Sequence, residues 1–369
     1  HISTNIMEIT QSVTMTTMSR NTNKSTFLDS QFRYVFIPVF YIIFFILGFI
    51  SNLYVLFVLR CLRQAKAMGE IRIYMTNLTM ADLLFVCALP FWIDYYMREG
   101  DWVYGDFMCR VTGTFFFINT YGTILFLAAI SINRYWAVTR PLDAASSDHR
   151  IRGIIVCVFI WVFVLAMSVP YLVSPGINVH HKNNTAIRRC FEGYQNETSH
   201  EKKKVAVTHF LIIGLFFVIF LLVVICNFLI ARSTASSTLK RPRGVKRRAL
   251  QMLWAVVGVF VLCFLPHHIV QGPWALAVLE IEVGFGHVNY SEDTRQLLND
   301  VHQITLVLMG LNCILDPVVY YFATGKFRRF ITAHIKKLAK GEGCSQLATT
   351  QISMDILQAA KTLCVFTER

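Results

Sequence analysis

Val301–Thr324 reads VHQITLVLMGLNCILDPVVYYFAT, a run with one formally charged side chain, Asp316, set directly before Pro317. A helix rising about 1.5 Å per residue needs roughly 20 apolar residues to cross the hydrocarbon of a bilayer. This run is long enough. Charge in hydrocarbon is costly, so a carboxylate held at that depth is a candidate functional group. Six more runs of the same kind precede it: Tyr34–Leu59, Ile73–Ile93, Val111–Asn133, Gly153–Val179, Val205–Ala231 and Ala249–Leu279. Between them they add one further charge, Asp82. The expected fold is an all-α membrane protein, a bundle of seven transmembrane helices.

The 369 residues are 55% hydrophobic and 15% charged, too apolar for a water-soluble globule of this length. The net charge of +13 points to topology rather than to nucleic acid, because of where it sits. Basic residues crowd Arg60–Arg72, Arg134–Arg152, Arg232–Arg248 and Lys326–Lys340, after spans 1, 3, 5 and 7. The positive-inside rule makes those ends cytoplasmic and leaves the N-terminus outside. Lys182, Arg188, Arg189 and Lys202–Lys204 break the rule. Four glycosylation sequons, at Asn23, Asn183, Asn196 and Asn289, all fall on the segments assigned outside and resolve the conflict. A fifth, at Asn77, lies within span 2 and is expected to stay unmodified.

Of ten cysteines, only Cys109 and Cys190 lie on the oxidising side. A disulfide between them would tie the loop before span 5 to the top of span 3, with two free thiols as the alternative. The first thirty residues carry no apolar core, so span 1 is expected to serve as the insertion signal. The expected organisation is an outer tail over 1–33, a seven-helix bundle over 34–324, an amphipathic membrane-surface helix over 325–340 and a disordered cytoplasmic tail over 341–369. In the surface helix Phe327, Phe330, Ile331, Ile335 and Leu338 share one face. Cys344 beyond it is a candidate palmitoylation site, or else a free cytosolic thiol.

The residues that then stand out are Asn52 in span 1, Leu78-Thr79-Met80-Ala81-Asp82 in span 2 and Asn133-Arg134-Tyr135 at the end of span 3. Trp161 in span 4, Cys263-Phe264-Leu265-Pro266 in span 6 and Asp316-Pro317-Val318-Val319-Tyr320 in span 7 follow in order. In these marks the chain resembles the rhodopsin-like (class A) G-protein-coupled receptors over nearly its whole length. It departs in having Asn133 for an acid, Phe264 for a Trp and no proline in span 5. Phe116-Phe117-Ile118-Asn119-Thr120-Tyr121, Pro266-His267-His268-Ile269-Val270-Gln271 and Asp300-Val301-His302-Gln303-Ile304-Thr305-Leu306 are similar to the platelet-activating factor receptor branch. The resemblance implies an ether phospholipid ligand, a heterotrimeric G protein of Gq or Gi type, and arrestin and receptor kinases acting on the Ser/Thr-bearing tail. It implies no enzyme activity. No nucleophile-elbow or two-His zinc motif is present, and no inverted repeat suggests a secondary transporter. The alternative within the class is a receptor for another lipid or a peptide.

Asp82, Asn119, Thr123, Asn312 and Asp316 are spaced to face a shared polar cavity. Hard oxygens suit a hard cation, and the resemblance makes it a sodium ion favouring the resting state; a water-bridged core without an ion is the alternative. Asn133, Arg134, Tyr135, Phe264, Pro266, Pro317 and Tyr320 are the expected coupling residues. With a neutral Asn133 and the basic Lys246-Arg247-Arg248 at the foot of span 6, the restraint on Arg134 is expected to lack charge assistance and to allow ligand-free signalling.

For the outer cavity, Phe116 stands where amine receptors carry a carboxylate, and Thr112 stands where lysophosphatidic acid receptors carry an Arg. These point to a neutral or zwitterionic ligand. Trp92, Tyr96, Phe116, Phe117 and Phe191 would hold choline and the first alkyl carbons. His209, His267, His268, Gln271 and Gln303 would donate to the polar head. Thr120, Tyr121 and Leu306 complete the expected ligand set. Of His267 and His268, one is expected to face the cavity while the other packs on a neighbour.

Overall fold

The computed structural model describes residues 28–64, 69–139, 149–182, 185–192, 199–236, 243–279 and 290–339. Asn23, Asn183, Asn196, Asn289, Cys344 and the 341–369 tail lie outside them, as do the side chains of Lys246-Arg247-Arg248. The helices are α1 (Gln31–Gln64), α2 (Glu70–Met97), α3 (Gly105–Thr139), α4 (His149–Val173), α5 (Ser199–Ser236), α6 (Arg243–Val259), α7 (Leu265–Val278), α8 (Glu292–Gly310), α9 (Asn312–Ala323) and α10 (Gly325–Ala339). A hairpin of β1 (Ile177–Lys182) and β2 (Thr185–Cys190) lies between α4 and α5. Seven of the helical stretches are long and apolar enough to cross a membrane, and they fall on the seven runs read from the sequence. Helix α1 begins at Gln31, ahead of the expected 34.

Apolar side chains point outward along every span, Val35, Phe159, Val218 and Phe228 among them. In water such a surface would be a liability. In a bilayer the helix satisfies its own backbone and the side chains meet lipid.

Prolines set the irregularities. The sequence carried span 4 on to Val179, but the helix stops at Val173 and the chain re-forms as β1. Pro175 has no N–H and disfavours helix in the residue before it, so the break follows from chemistry. Span 6 is α6, a π-helical turn over Phe260–Phe264, and α7. The N–H of Leu265 donates to Phe260 O, five residues back, just before Pro266. Span 7 is α8 and α9 joined at Leu311. Pro317 cannot donate to the Cys313 carbonyl four residues back. Asn52 of span 1 takes up that carbonyl through Nδ2 at 2.8 Å, and also donates to Gly48 O at 2.9 Å. The two sequence marks are thus one contact.

Asn77, whose sequon was expected to stay unmodified, is engaged inside the bundle. Its Nδ2 donates to Ile73 O at 2.8 Å and its Oδ1 accepts from Trp161 Nε1 at 2.8 Å, locking span 2 to span 4. Helix α10 lies under span 1, where Tyr54 OH and His334 Nδ1 are 2.9 Å apart. Phe327 and Phe330 are buried against the bundle, while Ile335, expected on the same face, is exposed.

Candidate ligand cavity and activation core

Cys109 and Cys190 are disulfide-bonded, with their Cα atoms 5.7 Å apart. The bond brings β2 over the head of α3. Asp106 fixes the other strand by accepting from Gly176 N at 2.8 Å and Ile177 N at 3.2 Å. Phe191 follows Cys190 with φ 53°, a left-handed backbone that is costly for an aromatic residue. The bend delivers its ring against Tyr171, 6.0 Å between centroids. The site therefore depends on that covalent tether.

Beneath the hairpin is a cavity of about 210 Å³. Trp92, Tyr96, Phe116, Phe117, Thr120, Tyr121, Phe191, His209, His267, Gln271, Gln303 and Leu306 line it, all of them expected from the sequence. His268 does not line it. Its ring stacks on Phe216 at 3.9 Å, its Nε2 is 3.1 Å from Tyr121 OH, and its Nδ1 is 2.8 Å from Phe264 O. His267 is the one that faces the cavity, with Nδ1 3.1 Å from Thr305 Oγ1. The expected head-group role of His268 is corrected accordingly: its ring and both its nitrogens are taken up by Phe216, Tyr121 and the Phe264 carbonyl.

Several lining residues were not assigned to the ligand set from the sequence, among them Leu28, Arg33, Tyr41, Tyr171, Glu192, Trp274, Asn299 and His302. Arg33 and Glu192 form an ion pair in the wall, at 2.5 Å. Their charges read in sequence as flanks of a span and of a disulfide loop. Leu28 closes the cavity towards spans 6 and 7: its carbonyl accepts from Asn299 Nδ2 at 3.3 Å, and Asn299 Oδ1 accepts from Trp274 Nε1 at 3.1 Å. Outside the spans, Arg189 donates to Tyr34 OH at 2.7 Å and pairs with Asp29. Burial works against its charge, yet Tyr95, Tyr34 and Glu192 around it hold its pKa above the ordinary arginine value.

Deeper in the bundle, Asn119 Nδ2 donates to Asn312 Oδ1 at 2.9 Å, and Asn312 Nδ2 donates to Thr123 Oγ1 at 3.0 Å. Thr123 Oγ1 lies 3.4 Å from Asp316 Oδ2. One turn towards the α10 end, Thr79 Oγ1 and Tyr320 OH are 3.5 Å apart, so Asp82 and Asp316, a turn above each, belong to the same polar core. Both Asp82 oxygens, Asp316 Oδ1 and Asn119 Oδ1 are buried without a hydrogen-bond donor. Two carboxylates and an amide offering four unpaired oxygens fit a small hard cation.

Phe264, in the π-helical turn midway along span 6, is fully buried; at the α10 end Tyr320 is fully buried too, and Arg134 and Tyr135 are half-buried. Asn133 has a charged partner that the sequence did not reveal. Its Nδ2 donates to the carboxylate of Glu70, which also holds Arg152 Nε. Glu70 is buried at the start of span 2, far in sequence from the motif it holds. It ties spans 2, 3 and 4 together with charge assistance. Asn133→Asp would place a second carboxylate against Glu70. We therefore expect it to lower thermal stability, and Glu70→Gln in the same background to recover part of the loss. Additive losses in a thermal-shift comparison would contradict the contact.

A profile of the family described as "7 transmembrane receptor (rhodopsin family)" matches residues 51–320. The platelet-activating factor receptor of Bos taurus is 42% identical over 343 residues, 92% of this chain and 96% of that protein. That of Homo sapiens is 40% identical over 333 residues, 89% and 94% of the two chains. The cysteinyl leukotriene receptor 1 of Mus musculus is 31% identical over 322 residues, 87% of each. With a family profile spanning most of its length, a seven-helix bundle and the marks from Asn52 to Tyr320 in place, this chain belongs to the rhodopsin family of seven-transmembrane receptors.

Proposed function

We propose that this chain is a plasma-membrane receptor for platelet-activating factor, an ether phospholipid with a choline head. In this reading its N-terminus is extracellular, and it acts through Gq- and Gi-type G proteins on phospholipase C and calcium. Receptor kinases and arrestin act on the Ser/Thr-bearing tail. The observation that carries the reading is the chemistry of the cavity wall. Trp92 Nε1, Gln271 Oε1, His302 Nδ1 and Nε2, and Arg33 Nε are buried there without hydrogen-bond partners, among rings of Trp92, Tyr96, Phe116 and Phe117. Buried polar atoms are normally paired, so a ligand with a polar head and an alkyl tail completes this wall. Similarity to platelet-activating factor receptors over about nine-tenths of the chain supports the same ligand. The test is a panel of labelled lipids and peptides on transfected cells, read by intracellular calcium. Saturable binding and calcium release with the ether phospholipid are expected. A response to a different lipid or a peptide alone would move the chain elsewhere in the family, and vesicle uptake of the label would make it a transporter.

The polar core is read as an allosteric sodium site formed by Asp82, Asn119, Thr123, Asn312 and Asp316. A cation bound there favours the resting state and so weakens agonist affinity. Replacing sodium by a large organic cation should raise agonist affinity in the parent and leave Asp82→Asn unchanged. Equal sodium sensitivity in both would rule out the ion.

A further inference from the structure

The cavity wall already contains one positive and one negative charge, paired with each other. Arg33 Nη2 donates to both carboxylate oxygens of Glu192, at 2.5 and 2.6 Å. The side chains are 1% and 14% exposed, so both are largely removed from solvent. Arg33 Nε has no partner, and the guanidinium lies 5.2 Å from the ring centre of Tyr34 and 5.4 Å from that of Tyr96. Glu192 Oε2 also accepts from Tyr95 OH at 3.0 Å, and Tyr96 OH donates to Gln303 at 3.4 Å. Aromatic faces and amide groups thus surround the pair on the cavity side.

Two desolvated charges are tolerable only while each has a partner. A ligand with one anionic and one cationic group can exchange partners with them and leave neither stranded. A purely anionic ligand would take Arg33 and abandon Glu192 in a buried site; a purely cationic one would do the reverse. We infer that the Arg33–Glu192 pair is the subsite that reads the head-group charges by exchange, Arg33 engaging the phosphate and Glu192 the quaternary ammonium. This rests on the ether-phospholipid reading and adds to it the residues that select a zwitterion over a phosphate monoester. Selection here comes from the penalty on the wrong ligand as much as from contacts with the right one. Gln303, joined to the pair through Tyr96, stands beside the phosphate. Trp92 and Tyr41 extend the aromatic surface that a trimethylammonium prefers.

The test uses two ether lipids with the same alkyl chain, one with a phosphocholine head and one with a phosphate monoester, on intact cells with surface expression matched. The parent is expected to bind the phosphocholine lipid at least tenfold tighter. Glu192→Gln keeps the shape and can still accept from Arg33 and Tyr95. It should weaken the phosphocholine lipid about tenfold and tighten the monoester, because taking Arg33 no longer strands a carboxylate. Arg33→Gln with Glu192→Gln should bring the two affinities within about threefold of each other. A pair that only holds α1 to the hairpin would shift both lipids by one factor in every variant, and that result overturns the inference. So does a parent that binds the monoester as tightly as the phosphocholine lipid. A parent that binds neither lipid defeats the ether-phospholipid reading itself.

Discussion

Cys109→Ala and Cys190→Ala are each expected to remove most surface expression and all measurable ligand binding, and the double variant is expected to be no worse than either. The bond closes 81 residues of chain, and loss of a native disulfide costs about 2–5 kcal/mol. Its local effect is larger than that figure suggests. Cys190, Phe191 and Glu192 are consecutive and all line the cavity. Without the tether the left-handed turn at Phe191 has little to hold it, and the hairpin loses its seat on α3. Because both substitutions delete the same bond, their effects should not add. Additive losses of expression would mean that each cysteine acts alone.

The second large effect concerns the polar side of the cavity. His267→Ala and Gln303→Ala each remove a lining group able to donate to phosphate. Hydrogen bonds to charged groups are worth about 1.5–3 kcal/mol, which is roughly a ten- to hundredfold loss of affinity. His268→Ala is expected to behave differently. It deletes the stack on Phe216 and the contact with Tyr121, so it should lower thermal stability and alter ligand affinity only through that packing. Parental ligand affinity in both His267→Ala and Gln303→Ala, at matched expression, would place the phosphate elsewhere.

The seven spans were legible because an uncharged apolar run of twenty or more residues is costly to keep in water and matches the thickness of a bilayer. The hairpin was not. Ile177 and Val179 are apolar enough to continue span 4, and only Pro175-Gly176 marks the break. The π-helical turn before Pro266 is a backbone adjustment whose sequence signal, a proline, gives position without form, and the joint at Leu311, six residues before Pro317, carries no such mark. In the cavity Trp92, Tyr96, Phe116, Phe117, Gln271 and Gln303 could be placed by their positions near the outer ends of the spans together with the family resemblance. Arg33 and Glu192 could not, since a charge at the end of a span usually marks the membrane boundary. Their signals were there in outline: an arginine directly before a long uncharged run, and an acid two residues from a cysteine that must sit over span 3. Glu70 escaped for a similar reason. The partner of Asn133 came from span 2, and spacing within span 3 or span 6 carries no information about it.

A zwitterionic ether phospholipid filling the cavity beneath the hairpin is the point on which the ligand reading stands or falls. Saturation binding of a labelled ether phosphocholine lipid decides it, on cells expressing the parent chain, Glu192→Gln or Gln303→Ala at equal surface density. Saturable binding to the parent that the same unlabelled lipid displaces is expected, with at least tenfold weaker binding in each variant. Saturable binding that is identical in all three would contradict the cavity as the site, and no saturable binding to the parent would contradict the ligand.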